Sequence, residues 1–174
     1  SEVEDYLLML KSKGEKSIYY LTDATLAEKK EIFVFLDKNA SNYSRDEIMD
    51  ILRFVYPDLS SYLQPYSHNN DFLDEYFQKY KYQKVINRVF PEFIEVVERQ
   101  AREREYNKWL PMRCEKIESL NKEDAYLYFI DALGIEYLSY IITRCRNLNL
   151  MANITLCRCD LPSITSLNKE FLES

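Results

Sequence analysis

The chain is predicted to be an α-rich α/β protein, with an N-terminal helical region at residues 1–124 followed by a βαβ unit of a parallel sheet at residues 125–174. Three observations predict it. Two glycines in 174 residues are too few for an all-β fold, whose tight turns repeatedly need positive φ. Charge is spread unevenly: residues 1–124 carry 19 Lys and Arg with 24 Asp and Glu, whereas residues 125–174 carry 4 and 5. Near residue 125 the apolar pattern also changes, from helical spacing to continuous runs. A hydrophobic fraction of 47 % is ample for a core and excludes a chain too polar to fold.

The helices follow in order. Leu26, Ile32, Phe33, Phe35 and Leu36 lie among charged residues and predict a short helix. Ser44 and Glu47 have the spacing of a capping box, and behind them Ile48, Ile51, Leu52 and Val55 form an i, i+3, i+4, i+7 stripe that Pro57 ends. Asp71 is the expected cap of the next helix, with Phe72, Leu73, Tyr76, Phe77 and Tyr80 on its apolar side. The pattern continues from Tyr82 to Trp109, with Pro91 as a break or kink. Residues 100–105 alternate in charge and predict a solvated face.

Residues 125–130 are a six-residue aromatic and β-branched run, the expected look of a strand buried on both faces, and the run ends at Asp131. Helical spacing returns from Ile135 to Leu148. Residues 151–159 predict a second strand, and Pro162 precedes a helix over 163–171. Strand, helix and strand at this spacing imply parallel strands with a right-handed crossover.

Several classes are excluded. A net charge of −6 leaves no excess of cations to neutralise a phosphate backbone, so binding of nucleic acid by bulk charge is not expected. The longest apolar run falls far short of the roughly 20 residues that span a bilayer. The acidic N-terminus lacks a signal-peptide core, and four cysteines in a chain rich in apolar residues predict free thiols in a reducing cytoplasm. With only Gly14 and Gly134, no glycine-rich phosphate loop or nucleophile elbow can form. No paired carboxylates suit glycoside chemistry.

A parallel sheet binds ligands beyond the carboxyl ends of its strands. That places Asp131 and the hydroxyl-bearing segment 162–168 on one rim. Thr165 at a helix start could attack phosphorus if a metal held by Asp131 lowered its pKa, which describes metal-assisted hydrolysis of a phosphate ester. The plainer reading makes Thr165 a cap and Asp131 a turn residue.

At these residues the sequence resembles PglZ domains. Residues 128–137 (YFIDALGIEY) match the family's opening motif, and residues 161–168 (LPSITSLN) its second. The resemblance covers about fifty residues and implies an alkaline-phosphatase-like metal-dependent phosphoesterase of a bacteriophage-exclusion (BREX) defence system. It implies Asp131 as a metal ligand, Thr165 as nucleophile and metal ligand, and Asn168 as a substrate-binding residue, with Ser163 the runner-up nucleophile. A divalent metal, zinc first, and partner subunits of a defence complex are implied too. The family's later Asp and His ligands have no counterpart here. The α/β domain is therefore expected to be incomplete, and these 174 residues alone to be inactive. The alternative is a non-catalytic helical interaction or scaffold module.

Three further features carry plain expectations. Cys157 and Cys159, on one face of the expected strand, could join Cys145 in a partial zinc site, but buried reduced thiols are the simpler account. His68, in a polar loop, is expected at the surface. The many tyrosines are expected to pack between helices with their hydroxyls outward.

Overall fold

The computed structural model describes residues 2–119, 123, 126 and 128–159. Among them are the helices α1 (Glu2–Lys11), α2 (Leu26–Asn39), α3 (Arg45–Val55), α4 (Pro57–Leu63), α5 (Asp71–Val85), α6 (Pro91–Glu103), α7 (Tyr106–Trp109), α8 (Arg113–Glu118) and α9 (Leu138–Asn147), with 3-10 turns at Gly14–Tyr20, Ala40–Asn42 and Ile135–Tyr137. The chain divides into two compact units, residues 1–91 with 136–152, and residues 92–135 with 153–174.

The first unit is a helical bundle whose starts are written into the sequence. The Ser44 hydroxyl accepts from the Glu47 amide at 3.2 Å while the Glu47 carboxylate accepts from the Ser44 amide at 2.7 Å, completing the capping box that opens α3. Ile48, Ile51, Leu52 and Val55 are all buried, so the predicted stripe faces the core. Pro57 ends α3 and also occupies the first turn of α4, where its missing N–H costs nothing. Asn70, rather than Asp71, caps α5, its side chain accepting from the Leu73 amide at 3.0 Å. Thr25 caps α2. Burial acts to raise the Glu28 pKa, but hydrogen bonds from Thr25 and Thr22 outweigh it and hold the carboxyl below its ordinary range.

Ile18, Ile32, Leu36, Ile48, Leu52 and Leu63 are the largest fully buried side chains and come from the Gly14–Tyr20 turn, α2, α3 and α4. After α5, Asn87 adopts φ 55°, a backbone turn that Asn tolerates. It brings Asn87 Nδ2 to Asp37 Oδ1 at 3.1 Å and Arg88 Nη2 to the Asp37 carbonyl at 3.1 Å, fastening the end of α5 to α2.

The expected βαβ unit is not there. No strand occurs among the described residues. Tyr126, Tyr128 and Ile130 are 92 %, 84 % and 63 % exposed, the opposite of a strand buried on both faces. Residues 151–157 carry no bridge, and Arg158 makes an isolated parallel bridge to Met112, its amide donating to the Pro111 carbonyl at 2.9 Å and its carbonyl accepting from the Arg113 amide at 2.9 Å. The middle element is helical as expected, but α9 packs on α4 and is not laid over a sheet. Aromatic and β-branched composition favours extended backbone, yet a strand exists only where a neighbour completes its ladder.

What holds α9 in place is polar and buried. Lys81, 3 % exposed, donates from Nζ to the Gln64 carbonyl at 2.6 Å and to Ser139 Oγ at 3.1 Å. Ser139 Oγ in turn donates to the Tyr62 carbonyl at 2.9 Å. One ammonium therefore joins α5, the end of α4 and the start of α9. Burial, then the repulsion of Arg45, bring the Lys81 pKa down to about 8, against a smaller opposing pull from Glu136.

The unfolded chain keeps its lysine pKa near about 10.4. Between these two values the unfolded state binds the extra proton, so stability rises with pH across the window, by about 3 kcal/mol in all. Urea melts from about pH 7 to about pH 9.5 are expected to show wild type gaining on Lys81→Met as the pH rises. A pH-independent difference would mean that the folded-state ammonium keeps an ordinary pKa.

In the second unit, α6 buries Phe93 and Gln100, and α8 buries Ile117. The Gln100 amide donates to Glu105 Oε2 at 2.6 Å, closing the end of α6. Residues 101–104 of the charged run are exposed, Glu105 is half-buried and Gln100 is buried, so only part of the run is a solvated face.

Candidate functional site

Asp131 lies in an exposed turn. Its Oδ1 accepts from the Ala132 amide at 3.0 Å, and Ala132 takes φ 58°. This is the geometry of a local turn residue. Thr165, Asn168 and Ser163 lie outside the described residues, so the structure does not show whether an alcohol approaches Asp131. No group of three or more His, Cys, Asp or Glu able to hold a metal exists among the described residues. The described residues around Asp131 therefore do not by themselves form a zinc site, and no chemical step is assigned to a metal. Cys145, Cys157 and Cys159 are half-buried free thiols, and the strand expected to align the last two does not form.

His68 departs from its expectation. Its side chain is 3 % exposed, lying between Tyr66 and Phe77 with ring centroids at 4.9 and 5.3 Å. Asp74 Oδ1 accepts from the His68 amide at 2.6 Å and lies 2.7 Å from His68 Nδ1. Burial acts to raise the Asp74 pKa, but the His68 bonds prevail and hold the carboxyl below its ordinary range. Nε2 of His68 is buried without a partner, and no described nucleophile is bonded to it. The pair anchors the loop before α5.

A cavity of about 460 Å³ lies in the first unit, walled mainly by Phe33, Tyr56, Leu59, Tyr62, Tyr137 and Tyr140, with Val85 and the charged Asp58 and Lys84 completing the lining. Four sequence segments supply the wall, Lys84 and Val85 coming from the end of α5. Phe33 comes from the outer face of α2. Tyr56, Leu59 and Tyr62 recur every three residues through the start and body of α4, while Tyr137 and Tyr140 open α9. The rings support one another: Tyr62 and Tyr137 lie 5.3 Å apart, and Phe33 meets Tyr56 edge-on at 6.3 Å.

The charges at this cavity are paired. Lys84 lies 3.7 Å from Glu136, and Asp58 lies 3.9 Å from Arg144. Lys84 also sits over the Tyr80 and Tyr137 rings at 5.5 and 5.7 Å, a cation–π arrangement. Tyr62 is 7 % exposed and its hydroxyl has no hydrogen-bond partner. Burial, then the nearby Glu136 carboxylate, keep this phenol protonated well above the usual tyrosine range. The wall is thus mostly aromatic and aliphatic, with one acid and one base in its lining that are each ion-paired.

Sequence reasoning missed this site because it assigned 135–148 to a sheet crossover. The signal was present in the three-residue recurrence of Tyr56, Leu59 and Tyr62, and again in Tyr137 and Tyr140.

Residues 1–39 match the family model of a domain of unknown function, DUF7863. The matched stretch runs from α1 to the last residue of α2, and so includes Phe33. No curated protein and no solved structure matches the chain. No helix among the described residues is long and apolar enough to cross a membrane.

Two substitutions separate the exposed turn from the buried pair. Asp131→Ala is expected to change the unfolding free energy by no more than about 0.5 kcal/mol, as for an exposed side chain. Asp74→Ala, which strips the acceptor from a buried imidazole and an amide, is expected to cost about 2–3 kcal/mol near neutral pH. Because the folded Asp74 pKa is depressed, its contribution is complete above about pH 3.9 and is lost as the pH falls through the folded value. Urea melts of the three proteins check both statements.

Proposed function

We propose that the chain is a non-catalytic helical interaction module whose aromatic cavity receives an apolar side chain from a partner protein. The observation that carries this reading is the cavity itself. Seven of its nine lining residues are aromatic or aliphatic, and the two charged ones, Asp58 and Lys84, are already matched with Arg144 and Glu136, so an apolar occupant leaves no charge unpaired. A charged occupant would have to break one of those pairs.

The hydrolase reading required an acid and an alcohol on one rim of a parallel sheet. No sheet occurs among the described residues, and Thr165 lies outside them, so no described geometry supports that reading. Tightly bonded polar groups elsewhere in the first unit, Lys81 and His68, are occupied in joining helices and loops.

Peptides selected from a random library against wild type, and titrated by fluorescence anisotropy, test the reading. They are expected to carry an aromatic or long aliphatic anchor. Phe33→Ala and Tyr140→Ala are each expected to weaken binding about tenfold, the scale of a buried aromatic contact. Peptides that bind both variants as they bind wild type would overturn the assignment.

A further inference from the structure

A second concavity, of about 320 Å³, shares no residue with the aromatic cavity: Ile51 forms its floor, Tyr19, Tyr43 and Phe54 its rings, and Glu47 and Asp50 its acids. Its composition is unusual in two respects. Phe54 and Tyr19 are 79 % and 61 % exposed, although they come from α3 and the turn before α2 and could have been buried between them. No lysine or arginine lines the concavity. Glu15 adds a third carboxylate beside it, accepting from the Tyr43 hydroxyl at 3.1 Å. Asp50 pairs with Arg53 at 3.3 Å, and both side chains are about two-thirds exposed. An exposed i, i+3 pair of this kind contributes little and yields readily to a better cation.

We infer that this concavity docks a basic peptide segment, an arginine side chain lying against the Tyr19 and Phe54 rings with its guanidinium on Glu47 and Asp50. Charge complementarity selects the occupant. A guanidinium stacks on aromatic faces and bonds carboxylates in pairs, so one side chain answers both the rings and the acids. An apolar segment would cover the rings at the cost of desolvating the two carboxylates. A second copy presenting the same face would set acids against acids. The inference is independent of the aromatic cavity, since the two sites have different residues and opposite charge requirements.

Anisotropy titrations of the full chain with a fluorescein-labelled Gly-Arg repeat octapeptide test it, with a Gly-Glu repeat as the comparison. Wild type is expected to bind the basic peptide and not the acidic one, with affinity falling as salt rises from about 50 to about 300 mM. Phe54→Ala and Asp50→Asn are each expected to weaken binding about fivefold or more, the scale of one cation–π or charge-assisted contact. Glu98→Gln, which removes one acid from α6, is expected to leave binding unchanged. Phe54 and Asp50 are exposed, so matching thermal melts would show that the variants remain folded. Binding that ignores Phe54→Ala, or that falls equally with Glu98→Gln, would reduce the effect to bulk charge and overturn the inference. Self-association abolished by Phe54→Ala, without peptide binding, would overturn it in favour of a second copy.

Discussion

The arrangement of the first unit depends on a charged amine held almost out of water. Lys81 reaches two oxygens, the Gln64 carbonyl and Ser139 Oγ, and Ser139 passes the chain of bonds to the Tyr62 carbonyl. Removing an ammonium from water is expensive, and the expense is tolerable only where acceptors replace the lost hydration. The acceptors come from two elements distant in sequence, so the amine is satisfied only when α9 is seated. Hydrophobic contact between α4 and α9 supplies attraction without direction. The Lys81 bonds supply position, and through α9 they set Tyr137 and Tyr140 into the aromatic cavity wall.

The helical part of the chain was legible because its signals are local. The Ser44 and Glu47 box, the stripe from Ile48 to Val55 and the break at Pro57 each act within one or two turns, and each is found where the spacing puts it. The βαβ reading failed because strands are not local. Tyr126 and Tyr128 have strand-like composition, but nothing in their own sequence provides a ladder partner. His68 was misjudged in the same way: its neighbours Ser67, Asn69 and Asn70 are polar, yet the side chain turns inward to Asp74 and Phe77. For the cavity, the tyrosine spacing was readable, but its meaning depended on α9 meeting α4, which pairs residues more than seventy positions apart.

Function and architecture converge on surfaces. The perturbed polar groups of the first unit are spent on its own cohesion, Lys81 on α9 and Asp74 on His68. What remains open to partners is aromatic. One concavity is neutral at its edge and the other acidic, so the two faces call for occupants of different chemistry. A small helical unit with two such faces could hold two partners at once without any residue serving both.

The first unit is assembled from residues 1–91 and 136–152, with an intervening stretch that belongs elsewhere. On the ribosome these two pieces emerge at different times. At about 5–20 residues per second, the bundle up to Ile86 is released seconds before Ser139 leaves the exit tunnel. During that delay Lys81 has lost one of its acceptors, and the flank of α4 around Tyr62 is bare. The nascent protein thus passes through a stage in which an adhesive aromatic slot stands open, and its safe passage rests on how quickly its own later segment fills it.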